Sequence, residues 1–315
     1  VDIFRDSKIQ NPKSEIPLRL WADLTLLLVA VVWGSAFVGQ RLAMAHMGAF
    51  AFGATRFALG GLCLLPIIAF QRWRAVDAAP VKGGAQSTLR GGLVLGLLLF
   101  GGASLQQIGL VHTTAGKGGF ITGLYIVIVP LLLALAWRQP ITWTCWLGVG
   151  LAVAGLFLLS LQAQAGEGEF QLAPGDGWVL AGAWMWALHV IAVGKLAPGH
   201  DPLHLALVQY IVCALLSALA ALAVEGNTWG GALIAWQAVL YTGIGSIGLG
   251  YTTQVVAQRY TPPTHTALIL SLESVFAALA GWLLLGEVMT SRMAAGAGLM
   301  LVGIIVAQLA DGHST

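Results

Sequence analysis

The sequence predicts an all-α membrane protein: ten transmembrane helices built as two inverted five-helix repeats. Three observations carry that expectation: the scarcity of charge, a succession of ten apolar stretches, and a weak likeness between the two halves of the chain. Only 9% of the 315 residues are charged, 58% are apolar, and the mean hydropathy is +0.84. A soluble domain carries roughly 25% charged residues. This composition cannot furnish a hydrated surface, but it suits a surface that faces lipid. The net charge of +2 leaves no basic footprint for nucleic acid. Cys63, Cys145 and Cys213 fall in separate apolar stretches. Their odd number argues against a disulfide framework or a cysteine metal site.

The stretches run over roughly 22–45, 50–70, 91–112, 116–137, 141–162, 176–196, 203–224, 234–258, 264–285 and 293–310. Residues 1–20 are polar and basic, with no short apolar run ending in small residues, and read as a cytoplasmic tail and not a signal peptide. Residues 21–162 and 176–310 then form the two repeats, 163–175 an extracytoplasmic linker and 311–315 a second cytoplasmic tail. With the first tail inside, eleven of the fifteen Lys and Arg residues fall on the cytoplasmic face: Arg5, Lys8, Lys13, Arg19, Arg72, Arg74, Lys82, Arg90, Arg138, Lys195 and Arg259. Glu167, Glu169, Asp176, Glu225 and Glu287 fall outside. Positive charge collects on the cytoplasmic side of membrane proteins. The expected setting is therefore a bacterial-type inner membrane, crossed many times, with both termini in the cytoplasm.

Sliding the chain on itself by 148 residues pairs Gln106 with Gln254, Leu124 with Leu272, and Gly148, Gly150 and Gly155 with Gly296, Gly298 and Gly303. Upstream the offset grows to 153 or 154, pairing Arg56-Phe57 with Gln209-Tyr210. An odd number of helices per half turns the second half upside down. Inverted repeats of this kind are a device of secondary transporters, with the substrate site near the midplane between them. Gly92-x-x-x-Gly96 and Gly119-x-x-x-Gly123 read as places of close helix approach.

The stretch Thr261 to Thr290, with Leu272-Glu273 and Leu285-Gly286-Glu287, resembles the ninth-helix signature of the drug/metabolite transporter superfamily, EamA type. So do Trp33-Gly34-Ser35, Arg56-Phe57 and the Gly-spaced fifth and tenth helices. Within that superfamily the chain looks most like the YddG-type exporters of aromatic amino acids. The resemblance implies the ten helices form a basket around a central cavity that moves organic metabolites outward. Ser274 stands where the family has Pro, and Gln139 where the first half has Glu. The first departure puts any kink at that point of the ninth helix in doubt.

Of twelve Trp residues, Trp21, Trp73, Trp137 and Trp143 sit at span ends, where indoles anchor at the headgroup level. Trp33 and Trp186 lie near span centres at matching places of the two halves. Phe37 and Gln40 share the helix face of Trp33, and His189 that of Trp186. Gln106 and Gln254 are matched amides inside apolar helices, with Tyr251 one turn before Gln254. Such groups serve either helix packing or an aromatic-lined cavity with a few polar groups. Tyr125 and Glu273 are the matched pair of helices four and nine, as are Lys117 and His265 nearer the helix ends. A carboxylate as deep as Glu273 costs at least a few kcal/mol unless protonated or paired. Three roles stay open for it: substrate ammonium, coupling proton, or a structural bond.

The candidate cavity set is thus Trp33, Phe37, Gln40, Gln106, Tyr125, Trp186, His189, Tyr251, Gln254 and Glu273. Arg56, Lys117, His265 and Glu287 are candidate structural or gating groups. No cofactor or metal is expected. The partners are the lipid bilayer and a small amino-acid-like molecule, and the monomer is the working unit. The expected action is alternating access by rocking of the two halves. An intramembrane hydrolase is the rival of another class, but neither Ser104 nor Ser246 sits in a G-x-S-x-G elbow. No Walker A motif for a nucleotide-driven pump and no H-E-x-x-H is present.

Overall fold

A computed structural model describes residues 16–73, 84–113, 115–160, 173–226, 228–285 and 289–311. Among these the regular backbone is helical, joined by turns and short connections, with no strand, as lipid demands when every amide must find its partner inside its own segment. In chain order the described helices can be grouped as ten rods. The first three are α1 (Ile16–Met44), α2 (Ala49–Trp73) and α3 (Ala85–Val111). The fourth is α4 (Ala115–Gly123) followed by α5 (Tyr125–Leu135), and the fifth is α6 (Trp143–Ser160). The second half repeats the series with α7 (Asp176–Leu196) and α8 (Pro202–Val224). Then come two short turns, α9 (Gly231–Ile234) and α10 (Trp236–Leu240), a π-helix over Tyr241–Tyr251, and α11 (Thr252–Ala257). The ninth rod is α12 (Pro263–Leu270) with α13 (Glu273–Leu285), and the tenth is α14 (Ser291–Asp311). Among the described residues eight helices are long and apolar enough to cross a membrane, and Trp143–Leu159 is a shorter apolar helix. Leu62, Leu215, Leu219 and Leu283 point outward from the bundle, as a lipid-facing surface requires.

Three expectations need correction. The stretches 116–137 and 264–285 are each broken, at Leu124 and at Ser271–Leu272, the positions that the 148-residue offset pairs. The ninth rod breaks without a proline: the Ser271 hydroxyl donates to the Leu268 carbonyl (2.7 Å) and competes with the helix ladder. The Ser274 hydroxyl donates across to the Gly119 carbonyl (3.1 Å), so the two broken rods touch. The stretch 234–258 is no single α-helix, because its centre is wound as the π segment. Finally, α1 begins at Ile16, inside the segment assigned to the tail. Residues 1–15, 161–172, 286–288 and 312–315 lie outside the described residues, and with them most of the linker, the second tail and Glu287.

Packing follows the repeat. α1 lies against α12, α13 and the π rod, while α7, its mate, lies against α4, α5 and α3. α2 packs on α8, and α6 on α14. At that last contact a Cβ on Gly148 would meet the Gly303 carbonyl oxygen at 2.5 Å. A Cβ on Gly155 would meet that of Gly296 at the same distance. Gly92 and Gly96 likewise admit Val208 and Val212 of α8, whereas Gly119 faces open space. The halves therefore interlock, and they are not two separate rigid bundles.

Contacts between rod ends agree with an alternating path. Glu225 caps α2 through the Phe50 and Ala51 amides (2.7 and 2.9 Å) on one face. On the other face Arg72 meets His204 (3.1 Å) and Ser87 meets His200 (2.9 Å). Asp201 caps α8 by accepting from the His204 amide (2.8 Å). Burial works to raise its carboxyl, but the His204 amide and ring outweigh that and hold it below the usual carboxylate range.

Two matched hydrogen bonds brace opposite ends of the bundle. The Thr261 hydroxyl donates to Asp23 (2.7 Å), and the Thr113 hydroxyl donates to Asp176 (2.8 Å). Thr113 and Thr261 are 148 residues apart, and Asp23 and Asp176 are 153 apart, the same two offsets that relate the halves.

Candidate functional site

A cavity lies between the halves where α1, α2, α3 and α7 meet the broken rods and the π rod. It takes in about 540 Å³ of atom-free space, counted to its open mouth. All ten candidate cavity residues line it: Trp33, Phe37 and Gln40 from α1, Gln106 from α3, Tyr125 from α5, Trp186 and His189 from α7, Tyr251 and Gln254 from the π rod, and Glu273 from α13. Arg56, Thr122, Val190, Ser246 and Leu270 complete the wall.

Tyr251 is the hub. Its ring lies 4.5 Å from that of Trp33 and is stacked on Trp186 at 5.9 Å, with the His189 ring edge-on at 6.0 Å. Such ring pairs add about 0.5–1.5 kcal/mol each beyond the area they bury. The two indoles are held by different partners. Trp186 Nε1 donates to Gln106 Oε1 (2.8 Å), whereas Trp33 Nε1 donates to the Ser246 carbonyl (3.1 Å) in the π segment. Each indole rests on a glycine that leaves it room. A Cβ on Gly102 would meet the Trp186 ring at 2.9 Å, and one on Gly250 would meet Trp33 Nε1 at 2.5 Å. Gly102 and Gly250 are again 148 residues apart.

The polar groups divide into those tied to protein and those left facing the cavity. His189 Nε2 pairs with Gln209 (2.9 Å), and Gln254 Nε2 donates to Gln258 (3.0 Å), which donates on to the Val190 carbonyl (2.9 Å). Tyr125 and Glu273 stand side by side at the two breaks. Arg56 Nε, Thr122 Oγ1, His189 Nδ1 and Gln254 Oε1 are buried without a hydrogen-bond partner among the described residues. Buried polar groups normally have one, so each such atom asks for an explanation.

The candidate structural and gating groups do not gather here as a set. Arg56 lines the cavity, buried, its guanidinium carbon 5.0 Å from the centre of the Phe52 ring and 5.2 Å from that of Phe57. His265 lies in the polar group around Asp23, where its Nδ1 meets Arg19 Nη2 (2.9 Å). The Lys117 side chain and Glu287 lie outside the described residues. Sequence reading missed Thr122 and Ser246, whose hydroxyls in apolar runs carry no signal. It also missed Thr113, Thr261, Asp23 and Asp176, although the repeat offsets pair them.

Comparison with known proteins gives a consistent setting. The model of the EamA-like transporter family matches residues 20–161 and again 173–308. An uncharacterized transporter of Archaeoglobus fulgidus is 31% identical over 295 residues, covering 92% of this chain and 87% of that one. The threonine/homoserine exporter RhtA of Escherichia coli (strain K12) is 27% identical over 315 residues, covering 94% and 92%. A WAT1-related chloroplastic protein of Arabidopsis thaliana is 25% identical, covering 89% of this chain and 68% of its own. A solved crystal structure superposes with a TM-score of 0.74 at 21% identity over 92% of this chain and 97% of the other, a likeness of fold.

Proposed function

This chain belongs to the EamA-like transporter family, and from that premise we propose that it exports neutral amino acids, aromatic ones foremost, as a secondary transporter that uses no ATP. The observation that carries the substrate class is the cavity wall. Trp33, Tyr251 and Trp186 form a continuous aromatic surface beside amides and hydroxyls, which is how sites for small apolar-bodied, polar-headed molecules are furnished. The naming of the Escherichia coli relative as an exporter of threonine and homoserine also favours a neutral amino acid.

The cycle exposes this cavity to the two faces in turn. The paired breaks at Leu124 and Ser271–Leu272 support it, since interrupted rods at corresponding places mark the substrate level in inverted-repeat transporters. Because the halves interlock, the packing favours movement of two repeat-related groups, α1 with α12 and α13, and α7 with α4 and α5. The ten rods cross a bacterial-type inner membrane with both termini in the cytoplasm, the side to which the basic rod ends point, and the monomer is sufficient. A periplasmically active reporter fused to the C-terminus overturns that orientation.

The test of function is uptake by proteoliposomes offered labelled Phe, Trp, Met and Thr alongside sugars and nucleosides. Saturable flux of the amino acids is expected. Flux of sugars or nucleosides with none of the four amino acids overturns the proposal.

A further inference from the structure

The cavity holds one basic and one acidic side chain that do not meet. Arg56 and Glu273 both line it and both are buried, at 5% exposure each. Among the described residues no ion pair joins them. Arg56 stands on the α2 and α8 side, with Cys213 and Tyr251 as electrostatic neighbours. Glu273 stands at the broken rods, beside Tyr125. Tyr251 is an electrostatic neighbour of both. Two ionisable groups buried apart are dearer to charge than a buried pair, and a ligand that brings the opposite charge to each offsets that cost. Arg56 Nε has no hydrogen-bond partner among the described residues, and its guanidinium carbon lies 5.0 Å from the centre of the Phe52 ring and 5.2 Å from that of Phe57.

Resting on the proposed function, we infer that the cavity is a zwitterion site in which Arg56 receives the α-carboxylate, Glu273 receives the α-ammonium, and the Trp33–Tyr251–Trp186 surface takes the side chain. The two charges come from positions that the repeat does not match, since Gln209 stands at the mate of Arg56 and Tyr125 at the mate of Glu273. A planar guanidinium is suited to a carboxylate, which it binds through two parallel N–H donors. An ammonium beside a ring face and a carboxylate is doubly favoured. A ligand carrying only one of the two charges leaves one buried ion uncompleted. The site therefore selects α-amino acids against amines and acids of the same shape.

The experiment is binding to the purified full-length protein of L-Phe, of phenethylamine, which lacks the carboxylate, and of 3-phenylpropionate, which lacks the ammonium. Both analogues are expected to bind about ten- to a hundredfold more weakly than Phe, the range of a lost charged hydrogen bond. Arg56→Gln should abolish the preference for Phe over phenethylamine but keep that over 3-phenylpropionate. Glu273→Gln should do the reverse. Arg56→Lys, which keeps the charge, should retain part of the preference and shows whether a weak Arg56→Gln protein is merely misfolded. Analogues that bind wild-type protein as tightly as Phe overturn the zwitterion site and leave amino acid export standing. If no amino acid binds and a sugar or nucleoside does, the proposed function falls and this inference with it.

Discussion

α3 and the rod of α10, the π segment and α11 hold the same place in the two halves and are built differently. α3 is an unbroken α-helix; its mate is π-wound over Tyr241–Tyr251. In the first case the indole of the opposite half, Trp186, bonds to a side chain, Gln106. In the second Trp33 bonds to a backbone carbonyl, and Gln254 turns along its own helix toward Gln258, leaving Oε1 without a partner among the described residues. π-helical windings gather at functional sites, where they re-aim side chains. Tyr251, the hub of the cavity, closes the π segment, and the residue at its place in α3 is Ala103. The duplicated frame and the cavity wall thus follow different rules. The breaks, the glycine crossings and the Thr–Asp braces obey the repeat; Tyr251, Glu273, Arg56 and His189 do not. The proposed binding selectivity rests on the second set.

Substitutions at matched positions test that division, since frame pairs should respond alike and wall pairs unequally. The largest effect is expected at the α6–α14 crossing. Gly148→Val and Gly303→Val each drive a side chain into a backbone carbonyl, and each should cost about 3 kcal/mol. Both should lose most folded protein in detergent, to the same degree by size-exclusion profile. A large difference between them denies that this crossing is part of a symmetric frame.

Trp186→Phe and Trp33→Phe come next. Both keep a ring and lose an N–H. The first strands the Gln106 oxygen in a buried site, at about 1–3 kcal/mol; the second frees a carbonyl within a helix and should cost about 1 kcal/mol or less. The melting temperature should therefore fall further for Trp186→Phe. Equal falls would mean the two walls are equivalent after all.

The smallest effect is expected at the braces. Thr113→Val and Thr261→Val each remove one hydrogen bond from an Asp that keeps other partners, at about 1 kcal/mol apiece. Melting temperatures lowered slightly and equally fit the frame; a drop confined to one of them does not.

The split between frame and wall also explains what the sequence made legible. Apolar runs of span length announce rods, because lipid leaves the backbone no other choice. Midplane Trp, Gln and Glu announced the cavity wall, because polar or bulky groups there need a reason. The broken rods were hidden: the ninth breaks at a serine bonding back to a carbonyl, while Pro66 and Pro130, the residues one would suspect, sit inside unbroken helices. The π segment was hidden because a Gly-rich apolar run reads the same whichever way it winds. Arg56 was legible only as a candidate structural or gating group, yet it lines the cavity, where α2 is covered by α8 and the π rod.

The account's central claim is that one cavity is reached from each face in turn and holds the substrate. Thr122 is buried in its wall, its hydroxyl without a hydrogen-bond partner among the described residues. The most direct test is thiol labelling of Thr122→Cys, with Cys63, Cys145 and Cys213 replaced by Ala, by an impermeant reagent added to one side or the other of oriented vesicles. The account predicts labelling from both sides, slowed from both by added Phe. Labelling from neither side, or from both at rates that Phe leaves unchanged, would contradict it.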